Sequence, residues 1–212
     1  KAKPHVAPLA EQVAAPVVMP LDVTQPAQME ALFTHIHETW GRLDFLIHSI
    51  AFAPKTDLHG RVVDCSLEGF TQAMDVSCHS LMRLTRLSEP LMAEGGSILT
   101  MSFYGAEKVV SHYGMMGPVK AALESSVEYL AAELGPQNIR VNAISPGPLA
   151  TRAASGLQEL DALLERSRER APLHRDITLE DVGHLAACLV SDASPNITGG
   201  IHYVDAGYET MG

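Results

Sequence analysis

Short apolar runs rich in β-branched residues alternate along this chain with longer stretches of helical spacing, and that alternation restricts the fold more than any other property. Residues 17–23, 44–49, 97–102, 140–145 and 200–205 read as strands. Between them, residues 24–40, 67–92, 113–134, 158–170 and 179–189 read as helices, and a short helix over 7–12 precedes the first strand. In the 24–40 stretch Met29, Leu32, Phe33, Ile36 and Trp40 recur on one face. Gly95-Gly96 and Gly135-Pro136 are stop signals. Strands that are apolar almost throughout must be buried on both faces. With helices between them, this predicts an α/β fold in which a parallel sheet is covered by helices on either side.

Ligands of such sheets bind beyond the carboxyl ends of the strands. Asp22, Ser49, Ser102 and Pro146-Gly147-Pro148 all fall at those ends. Tyr113 and Lys120 follow the third strand, seven positions apart. On a continuous helix, seven steps turn about 700°, so the two side chains are expected on one face, roughly 10 Å apart along the axis. A phenol donates a proton near neutral pH only when something favours its ionised form, and a neighbouring ammonium is expected to do so. Pro118 lies between them; a proline is harmless in the first turn of a helix, so the regular helix is expected to begin close to it. A Gly-rich turn joining a first strand to a helix, the phosphate cradle of dinucleotide-binding folds, does not occur in these residues.

Composition narrows the partners. The 212 residues carry a formal net charge of -10 and no long Lys/Arg run, which disfavours nucleic acid and anionic membrane surfaces. No run of apolar residues is long enough to predict a membrane span. Cys65, Cys78 and Cys188 are odd in number and widely spaced, a pattern that fits a reduced, cytoplasmic compartment. Ten histidines are present without metal-ligand spacing, so no metal is expected.

The chain resembles the short-chain dehydrogenase/reductases, and within them the bacterial NADH-dependent enoyl-[acyl-carrier-protein] reductases. The resemblance runs essentially end to end. It rests on Leu21-Asp22-Val23, on His48-Ser49-Ile50-Ala51-Phe52-Ala53-Pro54, on Gly105-Ala106-Glu107 and on Tyr113-x6-Lys120. It continues through residues 140–145, the run 147–156, Glu180-Asp181-Val182-Gly183 and Val204-Asp205-Ala206-Gly207. The six-residue gap is specific, because ordinary members of the superfamily space the pair by three.

The resemblance implies a Rossmann-like, doubly wound parallel sheet in a three-layer α/β/α arrangement. It implies one dinucleotide-binding reductase domain over 1–212, with a substrate flap at about 151–172. In the superfamily's sheet order the first two strands are central; they are absent from this chain, so the domain is expected to be N-terminally incomplete. The implied activity is reduction of a trans-2-enoyl thioester on an acyl carrier protein, in fatty acid biosynthesis. Tyr113 and Lys120 would be the catalytic pair. Asp22 and Val23 would border the adenine. Ser49, Ile50, Ala51, Lys120, Pro148, Leu149 and Thr151 would line an NADH cofactor, with NADPH also open. Phe52, Ala53, Phe103 and Met116 would meet the acyl substrate. A homotetramer is implied, and Leu123, Val127, Leu130 and Leu134 form an apolar stripe suited either to a core or to an interface.

Simpler readings accompany several of these residues. Asp22 suits a cap for the helix beginning near Pro26. Arg166, Arg168 and Arg170 suit a solvated helix face as well as a patch for an acidic carrier. Phe103 replaces the second tyrosine of many family members, Ala51 a common glycine, and Asp205-Ala206-Gly207 the usual Asp-Gly-Gly. The alternatives are a carbonyl reductase or alcohol dehydrogenase of the same superfamily, with Thr100 or Ser102 as its catalytic hydroxyl, or a non-catalytic paralogue.

Overall fold

The computed structural model describes residues 3–151, 154 and 159–211. Four parallel strands form one sheet in the order β1 (Phe45–His48), β2 (Gly96–Met101), β3 (Ile139–Pro146) and β4 (Ile201–Val204). The register sets His48 beside Thr100, Thr100 beside Ala143, and Ala143 beside Ile201.

The pleat sends successive residues to opposite faces; β2 and β3 are covered on both, while on β1 Phe45 and Ile47 stay 46% and 42% exposed. On one face Ile98, Ile139, Val141 and Ala143 pack against Leu81 of α5 (Ser80–Ser88) and against Leu123, Val127 and Leu134 of α6 (Met116–Leu134). On the other, Leu99 and Ile144 meet Leu189 of α8 (Leu179–Val190). Outside α5 lies α2 (Pro26–Trp40), which buries Met29, Phe33 and Ile36 against Val76, Leu84 and Leu91. The short helices α1 (Lys3–Gln12) and α3 (Lys55–Leu58) and the amphipathic α7 (Leu160–Arg170) lie outside this core. The expected three-layer α/β/α architecture is present.

Local chemistry sets the helix ends. Thr178 and Asp181 form a reciprocal capping box at the start of α8. At its other end the Arg140 guanidinium of β3 donates to the carbonyls of Leu189 and Ser191, satisfying acceptors that a helix C-terminus leaves bare. Gly41, at φ 72, closes α2 by donating to His37 and Ile36. The α4 helix (Leu67–Met74) runs into α5 through a π turn over Asp75–His79.

Three expectations change. Residues 17–23 do not form a strand. Pro20 removes a donor, and among the described residues no strand lies alongside to complete a ladder; only Val23 of the run is buried, against α2. Trp40 is 46% exposed, because it ends α2 beyond the reach of the core. The α6 stripe divides: Leu123, Val127 and Leu134 are core, whereas Leu130 is only half-buried. Leu130 borders a groove of about 460 Å³ between α5 and α6, with Met82, Arg86, Tyr129 and Glu133. Pro118 is the third residue of α6, as its chemistry required. No described helix is long and apolar enough to cross a membrane.

The division of the stripe has a measurable consequence. Leu123→Ala is expected to lower unfolding stability by about 2–5 kcal/mol, because it leaves a cavity in a fully packed layer. Leu130→Ala is expected to cost about 1 kcal/mol or less, read by urea denaturation at low protein concentration.

Candidate active site

The carboxyl ends of the strands converge as the parallel topology requires. Ser49 follows β1, Ser102 follows β2, and Pro146-Gly147-Pro148 ends β3 beside Asp205 at the end of β4. Gly147 donates its backbone N–H to Val204 at 2.8 Å, and a Cβ there would sit 3.1 Å from Asp205 Cα, so the two chain segments touch because this residue has no side chain.

Tyr113 does not lie on the helix. It sits in the turn before α6, and Gly114, at φ 53, changes the chain direction between them. The one-face geometry expected for a continuous helix therefore does not describe the pair. Tertiary packing holds Tyr113 instead. Its ring is 4.8 Å from that of Phe103 at 59°, and it shares a buried cluster with Met115, Met116, Val119 and Ala53. Gly105 leaves room for it: a Cβ there would come within 2.7 Å of Tyr113 Cε1. Burial, followed by repulsion from Glu124, pushes the phenol up, the reverse of the expected lowering by Lys120. The phenol is thus held protonated, as a hydrogen-bond donor.

Lys120 is 5% exposed, and its Nζ donates to the Met101 carbonyl at 2.6 Å. Burial pushes the amine down to about 8, opposed first by Glu124 and then by Cys78. Glu124, one turn further along α6, is buried as well and accepts a hydrogen bond from the Ser102 hydroxyl. Burial raises its carboxyl, and the Ser102 hydrogen bond is the main opposing influence.

Beside this group His48 is buried, with Nδ1 2.8 Å from Thr100 Oγ1 and Nε2 2.7 Å from Ser80 Oγ. Ser80 donates its own proton to the Val76 carbonyl at 2.6 Å, so it accepts from His48 Nε2–H, and the one Thr100 hydroxyl proton is shared between Nδ1 and the His48 carbonyl at 3.2 Å. Burial and the nearby Lys120 charge push His48 down to about 4, which keeps the ring neutral. The loop after β1 has a second anchor: in the π turn, Ser77 Oγ accepts from Phe52 N at 2.9 Å and donates to Phe52 O at 3.1 Å.

Of the anticipated residues, Ala53, Phe103, Tyr113 and Met116 meet in one apolar cluster. Ile50 packs instead with Val23 against α2 and α5. Ser49, Ala51 and Phe52 are exposed on the loop, and Pro148, Leu149 and Thr151 are half-buried past β3. Asp22 does not cap α2 directly, since Gln25 is the N-cap; it accepts from Thr24 N and Oγ1 in the preceding turn, which lowers its carboxyl. Arg168 is engaged bidentately with Asp176, and Arg170 lies over the Tyr208 ring at 5.9 Å. Two of the three arginines of the suggested carrier patch are thus engaged within the protein. Of the flap, residues 152–153 and 155–158 lie outside the described residues. Among the described residues there is no group of three or more potential metal ligands. Sequence reasoning missed Glu124, Ser77 and the buried role of His48. Glu124 had a signal, since it lies four residues from Lys120 and faces the same way; the π turn that aims Ser77 had none.

The arrangement suits a nicotinamide cofactor. An ammonium has three donors and the Met101 carbonyl takes one, which leaves two for a vicinal diol such as ribose. An exposed loop at the end of β1 and a side-chain-free approach at Gly147 border the same strand ends.

Comparison with known proteins accords with this geometry. Residues 1–209 match the family model described as Enoyl-(Acyl carrier protein) reductase. The chain is 52% identical over 208 residues to the enoyl-[acyl-carrier-protein] reductase [NADH] FabI of Rickettsia felis, covering 98% of this chain and 80% of that protein. The Synechocystis sp. enzyme of the same name is 50% identical over 204 residues, covering 96% and 79%. Among solved structures, the Anaplasma phagocytophilum reductase in complex with NAD superposes with a TM-score of 0.95 at 48% identity, over 99% of this chain and 80% of that one. The Bacillus cereus reductase with NADP+ and indole naphthyridinone superposes with a TM-score of 0.96 at 42% identity, covering 100% and 83%.

His48 makes acid sensitivity testable. Its folded value of about 4 lies below its ordinary 6.5, so the unfolded chain binds the extra proton first. The stability from burying neutral His48 is complete above pH 6.5 and is lost as pH falls toward 4, on the order of 3 kcal/mol in all. His48→Gln is expected to flatten the thermal midpoint across that window relative to the parent, measured by calorimetry.

Proposed function

The chain belongs to the enoyl-(acyl carrier protein) reductase family, and from that membership we propose that it reduces the carbon–carbon double bond of trans-2-enoyl thioesters carried on acyl carrier protein, with NADH as reductant, in fatty acid biosynthesis. The observation that carries the reading at the level of residues is the buried constellation past β2. It combines a protonated phenol, a buried ammonium with donors to spare, and an apolar cluster around the phenol.

Tyr113 donates a hydrogen bond to the thioester carbonyl. That bond strengthens as negative charge develops on the oxygen during reduction, which is the condition for catalysis rather than mere binding. Its raised affinity for the proton suits it to this part, because a protonated phenol donates and a phenolate cannot. Lys120 holds the nicotinamide ribose hydroxyls and keeps positive charge near the reacting carbonyl. Ser49, Ile50 and Ala51 line the cofactor with Pro148, Leu149 and Thr151, and Asp22 and Val23 border the adenine. The cofactor supplies hydride, and the protein supplies position and charge. Phe52, Ala53, Phe103 and Met116 form the apolar wall for the acyl chain, and residues of about 151–172 close over it. The presence of NADP+ in the Bacillus cereus structure keeps NADPH in play as a second donor.

Thr100 and Ser102 disfavour the carbonyl reductase alternative. Thr100 is bound to His48, and Ser102 to Glu124, so both hydroxyls are already used inside the protein. A homotetramer is part of the same proposal, supported by the groove beside Tyr129, which is 76% exposed on α6. Cytoplasmic localisation is supported by the cysteines, since Cys65, Cys78 and Cys188 are all free thiols.

NADH oxidation with crotonyl thioester is expected to exceed that with acetoacetyl thioester; activity on the ketone alone would overturn the proposal. Tyr113→Phe is expected to lower kcat by on the order of 10- to 100-fold, the value of one hydrogen bond to a charged oxygen, with KM for NADH little changed. Gly105→Ala is expected to lower kcat similarly, by displacing the Tyr113 ring.

A further inference from the structure

Lys120 and Glu124 stand one turn apart on α6, and two consecutive residues at the end of β2 hold them. The Met101 carbonyl accepts from Lys120 Nζ at 2.6 Å. The Ser102 hydroxyl donates to Glu124 Oε1. Ser102 is itself fixed, because its backbone N–H donates to the Ile144 carbonyl of β3 at 2.7 Å. All three side chains are buried: Ser102 and Lys120 are each 5% exposed and Glu124 is 9%. A carboxylate is costly to bury, and a helix facing a sheet needs none there for packing. Its position one helical turn from a buried ammonium calls for a physical account.

Resting on the reductase reading above, we propose that Glu124, clamped by Ser102 one turn from Lys120 on the buried face of α6, is a positioning residue for the Lys120 ammonium. A carboxylate held there favours the cation at Lys120, the form in which the amine donates hydrogen bonds.

The other groups around the pair do not take over this part. On β1, His48 is neutral. In the π turn, Cys78 is a thiol that burial pushes up. Glu128 on α6 and Glu107 in the loop after β2 act on Glu124 by repulsion. Glu107 is exposed and accepts from the Tyr203 hydroxyl of β4 at 2.6 Å.

The test follows the lysine directly. The chain has five lysines, at positions 1, 3, 55, 108 and 120, so carbon-13 labelling at Cε gives a resolvable NMR spectrum in which Lys120→Arg identifies the Lys120 signal. In the full protein the Lys120 signal is expected to titrate near 8. Glu124→Gln keeps the shape and an acceptor for Ser102 but removes the charge. It is expected to move the midpoint down by about one unit or more. Ser102→Ala is expected to move it in the same direction by less, and Ser102→Thr to restore it. The alkaline limb of kcat against pH with crotonyl thioester should follow the same order.

A Lys120 midpoint unmoved in Glu124→Gln would overturn the inference, as would a loss of thermal stability in that variant with both profiles in place. Should Glu124→Gln fail to fold, the Ser102 pair decides: equal midpoints in Ser102→Ala and the parent sink it. Absence of enoyl reduction by the parent protein would defeat the functional reading, while the NMR titration would still decide the part played by Glu124.

Discussion

A lysine ammonium buried in a protein must be matched by charge and hydrogen bonds, or it loses its proton. Lys120 sets that condition here, and much of the local structure meets it. The carbonyl of Met101, the last residue of β2, receives the ammonium. Glu124 faces the same way because four residues make one helical turn. β2 is held on both sides, by β1 through Thr100 and His48 and by β3 through the full register from Gly96 to Met101. The site therefore inherits its rigidity from the central strands.

The architecture was legible where burial writes itself into composition. The runs at 97–102 and 140–145 read as strands covered on two faces, and Ile98 and Leu99 do part to opposite helices. Helix ends were legible where chemistry is local, as at Pro118 and Gly135. What failed was long-range. Residues 17–23 have strand composition, but a strand is a property of two chains, and the second is not written in the first. The seven-residue spacing of Tyr113 and Lys120 suggested one helical face. Gly114 ends that inference, since a residue at φ 53 breaks helical phase. The helical phase that singled out the two residues is not one the fold uses.

The buried hydroxyls show the same limit. Ser77, Ser80, Thr100 and Ser102 are ordinary residues in the sequence, and Thr100 and Ser102 looked like candidates for chemistry. In the fold each holds something else: Phe52, His48 or Glu124. Their placement depends on a π turn and on strand register, neither of which has a composition of its own. Each of these hydroxyls is buried and committed inside the fold, and turning one toward a substrate would leave its partner unsatisfied. This separates the present site from one built around a catalytic serine more firmly than the tyrosine–lysine spacing does.

Phe103 fits the same logic. A second tyrosine there would bring another hydroxyl into an apolar cluster with Tyr113, Met115, Met116 and Ala53, where it would need a partner. Phenylalanine asks for none, and its ring packs at 4.8 Å against the one phenol that remains. The apolar wall also favours the protonated form of Tyr113, since a phenolate would lose hydration there without gaining a donor. Gly105 admits the ring, Phe103 keeps its surroundings dry, and Glu124 opposes its ionisation. Three residues from different elements thus favour the protonated phenol, the form in which the proposed hydrogen bond to a thioester oxygen can be donated.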